Sequence, residues 1–314
     1  MTRRTALAVL ALLGAVSLMA SPAVGQSSTP AAQDPAPVFR VSADVVSVEA
    51  AVRRDRRPVI GLTTADFEVL DNGVPQQITS LSYEKLPIDV TVVLDVSASV
   101  TGTVLDELRR ALRQLRSDLG PQDRLRLLTF NMGVRRLADF GAPAATVDAA
   151  LASLAGGGSS AVFDSLAVAL ASPVPAGRRQ LIVLFSDGQD SSSITDADTL
   201  RDVARRSTPT VAVVLSSPAR QRPASLVRTA SKLGSATVGD LAEQIAGETG
   251  GFVAAIAPGE NLTSTFRRVL EQFRTSYVLF FTPSGVERQG THTIEVRVKR
   301  AKVEVRSRRG YVWR

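Results

Sequence analysis

The stretch IDVTVVLDVSAS, Ile88 to Ser99, decides how the rest of the chain reads. From Ile88 to Leu94 every residue except Asp89 is apolar or β-branched. A segment this apolar on both faces suits a central strand of a parallel sheet, covered by helices above and below. Such sheets carry their working residues in loops beyond the carboxyl ends of the strands, where Asp95 stands. Asp95, Ser97 and Ser99 then place one carboxylate and two hydroxyls on alternate residues of a tight turn. Oxygen-only donors of this kind suit a hard cation, Mg²⁺ first, with Mn²⁺ or Ca²⁺ also accommodated. The same serines equally suit the cap of a helix that starts near Thr101.

Downstream, the pattern alternates between strands and helices. Leu105, Leu108, Leu112, Leu115 and Leu119 form a helical stripe, and Leu125–Phe130 and Leu181–Phe185 read as buried strands. An edge strand is expected over Val134–Phe140, a parallel strand over Thr210–Leu215 and another over Phe252–Ile256. Helices are expected at Val147–Leu154, Val162–Ala171, Asp196–Arg206, Leu241–Glu248 and Leu262–Phe273, with one more near Ser225–Leu233. Successive βα units build a doubly wound, mostly parallel sheet, so residues 87–276 are an α/β domain.

The flanks differ. Residues 38–86 show near-alternating apolar residues at Val46, Val48, Ala50 and Val52, a strand at Asp66–Leu70, and turn chemistry at Asp71-Asn72-Gly73. Residues 277–314 return to strands at Tyr277–Thr282, Thr291–Val298 and Ala301–Val305. Neither segment is large enough to build its own core. The economical solution is one small β domain made by pairing the two, with the α/β unit inserted between them.

Residues 1–25 read as a secretory signal peptide: Arg3 and Arg4 precede an apolar run, and Ala23-Val24-Gly25 offers small residues for cleavage before Gln26. An uncleaved anchor is the competing reading. Residues 26–37 read as a disordered linker. The expected location is therefore periplasmic or extracellular, with no membrane span after cleavage.

Cysteine is absent, which excludes disulfides, thiolate metal sites and a cysteine nucleophile. Arginine outnumbers lysine 33 to 4, a bias that reads as genome composition rather than nucleic-acid contact. Residues 297–314 hold eight basic residues against Glu304. Arg297, Lys299, Arg306, Arg308 and Arg309 read as a solvated strand face, with weak contact to an anionic envelope surface as the alternative. Tyr311 and Trp313 are expected to pin the terminus by burial.

Three loops now carry oxygen donors: Asp95/Ser97/Ser99, Gly156–Ser160 and Ser186-Asp187-Gly188. Asp95-Val96-Ser97-Ala98-Ser99 resembles the first motif of the metal-ion-dependent adhesion site of von Willebrand factor type A (VWA) domains. Gly158-Ser159-Ser160-Ala161-Val162-Phe163-Asp164 resembles the second, with Ser160 where the family commonly has threonine. Asp187-Gly188 resembles the third, and the flanks resemble a secreted bacterial subgroup. The resemblance implies a VWA (Rossmann-like) fold with Asp95, Ser97, Ser99, Ser160 and Asp187 as metal ligands, Asp187 acting through water. It implies binding rather than catalysis: an electron-poor ion takes an Asp or Glu carboxylate from a partner protein, in adhesion or envelope assembly.

Two other classes compete. A structural envelope protein would keep the site only as a vestige. A hydrolase is disfavoured because Ser97 stands where an aspartate-nucleophile phosphatase needs its second aspartate, and because the sole histidine, His292, lies on an expected strand away from the loops.

Overall fold

The computed structural model describes residues 45–84, 86–173, 175, 177–216, 238–256 and 260–313. The expected signal peptide, the linker and the helix near Ser225–Leu233 lie outside the described residues.

Strand β1 (Val46–Arg54) turns back into β2 (Arg57–Pro58) through Asp55 and Arg56, which both adopt positive φ, 49° and 65°. After a short 3₁₀ turn come β3 (Phe67–Asp71), β4 (Val74–Gln76) and β5 (Ile78–Tyr83). The β3–β4 link is Asn72-Gly73 at φ 48° and 80°, the two-residue turn that this dipeptide favours.

The chain then enters the α/β region with β6 (Ile88–Asp95), α1 (Gly102–Ser117), β7 (Arg124–Phe130) and β8 (Val134–Ala138). Next come α2 (Ala144–Ala152), α3 (Val162–Ala171), β9 (Arg179–Ser186), α4 (Ala197–Arg206) and β10 (Thr210–Leu215). The region ends with α5 (Val238–Thr249), β11 (Phe252–Ala255) and α6 (Leu262–Arg274). Four more strands close the chain: β12 (Tyr277–Phe281), β13 (Gly290–Val298), β14 (Glu304–Ser307) and β15 (Gly310–Trp313).

Among the described residues, the α/β sheet has the order β11-β10-β9-β6-β7-β8, parallel except for the edge strand β8. All eight residues of β6 are buried, as its apolar run requires of a strand covered on both faces. Val90, Val92 and Leu94 pack on one side against α1, α2 and α6. Val93 packs on the other, in the cluster built with α3, α4 and α5. This is the doubly wound arrangement that the alternation implied.

The terminal segments pair with one another. One sheet has the order β14-β1-β12-β5 with β2 beside β1, and the other the order β15-β13-β3-β4. Val48, Ala50, Val52, Tyr277 and Leu279 of the first sheet share a core with Phe67, Val69, Ile294, Val296 and Tyr311 of the second. Neither half of the chain could bury these faces alone.

Two sequence readings need correction here. The strand expected at Ala301–Val305 begins three residues later, after a turn in which Lys302 takes φ 57°, and Gly310–Trp313 is itself a strand. The tail arginines do not share one solvated face. Arg308 is 8 % exposed, and its Nε and Nη2 each donate over 2.7 Å, to Gly310 O and Ser207 O. Burial pushes its guanidinium down to about 10. Arg308 is thus a strut between the terminal strands and the loop after α4. Alternation hid this, because Arg308 belongs to a link between strands rather than to a strand face.

Candidate functional site

The loops at the carboxyl ends of β6, β7 and β9 meet around Asp95, which is completely buried. Its position follows from the β6–β7 ladder: Asp95 pairs with Phe130, whose carbonyl then accepts from Val96 N at 2.9 Å. The chain turns sharply, and Ser97 N donates to Asp95 Oδ1 at 2.9 Å. This side-chain-to-backbone turn is one that aspartate makes readily. Ser97 and Ser99 then bring their hydroxyls within 3.1 Å of each other. They do not cap α1, which starts at Gly102 after Thr101.

The glycine-rich loop is zipped against this turn. Gly157 N donates to Val96 O at 2.8 Å, and Ala98 N to Gly158 O at 2.9 Å. A Cβ on Gly156 would lie 2.2 Å from Val100 O, and Gly158 has φ +79°. Glycine is therefore required at both positions, by contact at one and by conformation at the other. The loop delivers Ser160, whose Oγ donates to Asp95 Oδ2 at 3.0 Å. From the third loop, Ser191 N and Ser192 N donate to Ser160 O at 2.8 and 3.1 Å, and Ser160 N donates to Ser191 Oγ at 3.0 Å. Asp164 fastens the same loop, accepting from Ile194 N and Thr195 N.

The structure thus brings Asp95, Ser97, Ser99 and Ser160 together. Asp187 is not hydrogen-bonded into this cluster. Its Oδ1 accepts from Gln189 N at 3.0 Å, and it makes no hydrogen bond to the other four. Its neighbour Ser186 instead donates to Asp95 Oδ2 at 2.9 Å. The sequence places Ser186 in the third donor loop without giving it a role, and it gives no role to Asn131, whose Nδ2 donates to Gly157 O at 3.0 Å. Both carry a readable signal: each is a small polar residue at the carboxyl end of a buried strand, the rule that singled out Asp95.

The electrostatics are one-sided. Among the described residues, no lysine, arginine or histidine forms a hydrogen bond or ion pair with Asp95. Burial pushes its carboxyl above the usual carboxylate range, and the bonds from Ser97, Ser186 and Ser160 only partly offset this. Among the described residues, no three His, Cys, Asp or Glu side chains gather as a metal site. A cation here would rest on hydroxyls as much as on carboxylates. His292 belongs to a different part of the molecule. It is buried between the terminal sheets, with Nδ1 2.7 Å from Asp71 Oδ1 and its ring stacked on Tyr311.

The model of the von Willebrand factor type A domain matches residues 89–266. Solved structures with a similar fold include an aerotolerance-related membrane protein from Bacteroides fragilis, 16 % identical over 59 % of this chain and 98 % of that one, TM-score 0.45. The PilB minor pilin from Streptococcus sanguinis is 14 % identical over 70 % of this chain and 63 % of its own, TM-score 0.44. Proximal thread matrix protein 1 from the mussel byssus, with a zinc-occupied MIDAS motif, is 11 % identical over 66 % of this chain, TM-score 0.45. The match spans only half the length of that protein. Among the described residues, no helix is long and apolar enough to cross a membrane.

Proposed function

Since this chain belongs to the von Willebrand factor type A family, we propose that its Asp95 crevice binds a divalent cation and, through it, a partner protein's carboxylate. The observation that supports this most is the state of Asp95: a fully buried carboxylate held only by neutral donors. A buried anion without a positive partner is costly. A cation would remove that cost.

The donor set fits a hard ion. Asp95, Ser97, Ser99 and Ser160 offer oxygen alone, which suits Mg²⁺ first and Mn²⁺ or Ca²⁺ next. Asp187, which makes no direct bond to these four, would act through water. So few charged donors leave the ion electron-poor, and an Asp or Glu side chain from a partner is its natural further ligand. The chain's residues would hold and present the ion without turning over a substrate. With the signal-peptide reading of residues 1–25, the module would work outside the cytoplasm, in adhesion or envelope assembly.

Melting of the chain from Gln26 onward, with Mg²⁺ or with chelator, tests the site. At a hundred times the dissociation constant, stabilisation should approach about 2.7 kcal/mol, and Asp95→Ala should abolish it. A wild-type protein indifferent to Mg²⁺, Mn²⁺ and Ca²⁺ would instead mean a structural envelope protein with a vestigial site. If the site works, chelator should also release an envelope protein held by wild type, and Asp95→Ala should never capture it.

A further inference from the structure

A second charged feature lies in a groove of about 890 Å³ between the β1–β2 hairpin, β14 and α6, sharing no residue with the Asp95 crevice. Five arginines and three glutamates line it. Ala51 pairs with Arg306 and Arg53 with Glu304 in the β1–β14 ladder. Arg53 and Arg306 are therefore diagonal neighbours on one face, close enough for their charges to repel.

Their surroundings balance that charge only in part: Glu304 stands opposite Arg53 on the same face but is exposed and forms no ion pair with it. Arg306 makes no hydrogen bond or ion pair among the described residues, and its guanidinium lies 4.5 Å from the Phe252 ring centroid. Its Nε is buried and unpartnered, and so is Nε of Arg53. Arg53 spends only Nη1, on Arg56 O at 2.9 Å. Of the glutamates, Glu260 is bound by Arg268 at 3.0 Å. Glu271 and Glu304 are exposed and form no ion pair with Arg53 or Arg306. Burial, with Arg53 nearby, pushes the Arg306 guanidinium down to about 10, so it remains charged at neutral pH. Those Nε atoms are too enclosed to meet a ligand, but both guanidinium groups line the groove, and two adjacent cations there are incomplete without an anion.

We propose that Arg53 and Arg306 form a binding site for a phosphate group. Phosphate matches the guanidinium fork, and its charge of about −1.5 to −2 at neutral pH balances two arginines better than a single carboxylate does. The site is independent of the Asp95 reading.

The test is calorimetric titration of the chain from Gln26 onward with inorganic phosphate, at ionic strength fixed with chloride. Saturable binding is expected, and Arg306→Gln and Arg53→Gln should each weaken it by about tenfold or more. Both variants should keep the wild-type circular dichroism spectrum and a cooperative melt, which shows that they fold. Flotation with phosphatidylglycerol vesicles, reversed by free phosphate and lost in both variants, would assign the phosphate to a lipid headgroup. Phosphate binding without flotation would assign it to a soluble phosphate. Phosphate that binds no better than chloride, or binds wild type and both variants alike, overturns the proposal.

Discussion

Asp89 and Asp95 stand at opposite ends of β6, both completely buried, and the protein compensates them in opposite ways. Asp89 accepts from Arg124 Nε at 2.8 Å and Nη2 at 2.5 Å, from Arg178 Nε at 2.6 Å and from Gln180 Nε2 at 3.0 Å. Burial pushes its carboxyl up, but these bonds outweigh it and hold the group below its usual 3.8. Asp95 has the same burial and, among the described residues, no cation bonded to it, and it stays above that range. The amino end of the strand is electrostatically closed. The carboxyl end has no such cation among the described residues, and on this difference the proposed binding role of Asp95 rests.

Asparagine at the two positions should break this symmetry most visibly. At neutral pH, Asp89→Asn leaves two half-buried arginines without their carboxylate and should cost about 3 kcal/mol in urea unfolding, the lower end for a broken buried pair. Asp95→Asn, measured in chelator, should change stability by no more than about 1 kcal/mol, because it removes a charge that nothing balanced. Equal losses at both positions would end the contrast.

The Asp89 penalty should also depend on pH. A carboxyl held low in the folded state contributes its stability above its unfolded value. That contribution fades as pH falls through the lower folded value. The gap between wild type and Asp89→Asn should therefore narrow below about pH 4. A constant gap down to pH 2 would mean that packing, not charge, carries it.

Ser186→Ala sharpens the other end. It deletes a donor that orients Asp95 and should weaken Mg²⁺ affinity by about tenfold, the lower range for a group that supports a metal ligand. Ser160→Thr should have the smallest effect. The added methyl limits rotamers of the hydroxyl, so Mg²⁺ should bind about two- to threefold tighter. Weaker binding would show that the methyl clashes within the loop.

What could be read from the sequence divides along the same line. The buried run of β6, the turn after Asp95 and the glycine-rich loop were all legible, because each is a local pattern with a local cause. The pairing of the terminal strands was also legible, since neither segment could bury its apolar residues alone. The burial of Arg308 and the arginine pairing of Asp89 were not. Both depend on groups supplied by distant segments, as when Arg178 reaches Asp89 or Ser207 O meets Arg308. Ser186 was named in its donor loop, but its bond to Asp95 depends on β6 and β9 lying side by side.

The pairing of the two ends sets a timetable for folding. Val46 waits for Phe281 and Ala50 for Tyr277, so the first described strand to be made is among the last to find its place. Contacts this distant in sequence form slowly, because a long loop must close before they are rewarded. Meanwhile Val48, Ala50 and Val52 stay uncovered on a strand with two unpaired edges, the condition under which chains associate with one another. The α/β unit can assemble from near neighbours during that interval. Once formed, it holds Tyr83 and Tyr277, which pair in the finished sheet, at its two ends. Closing the terminal sheets then becomes a short-range step.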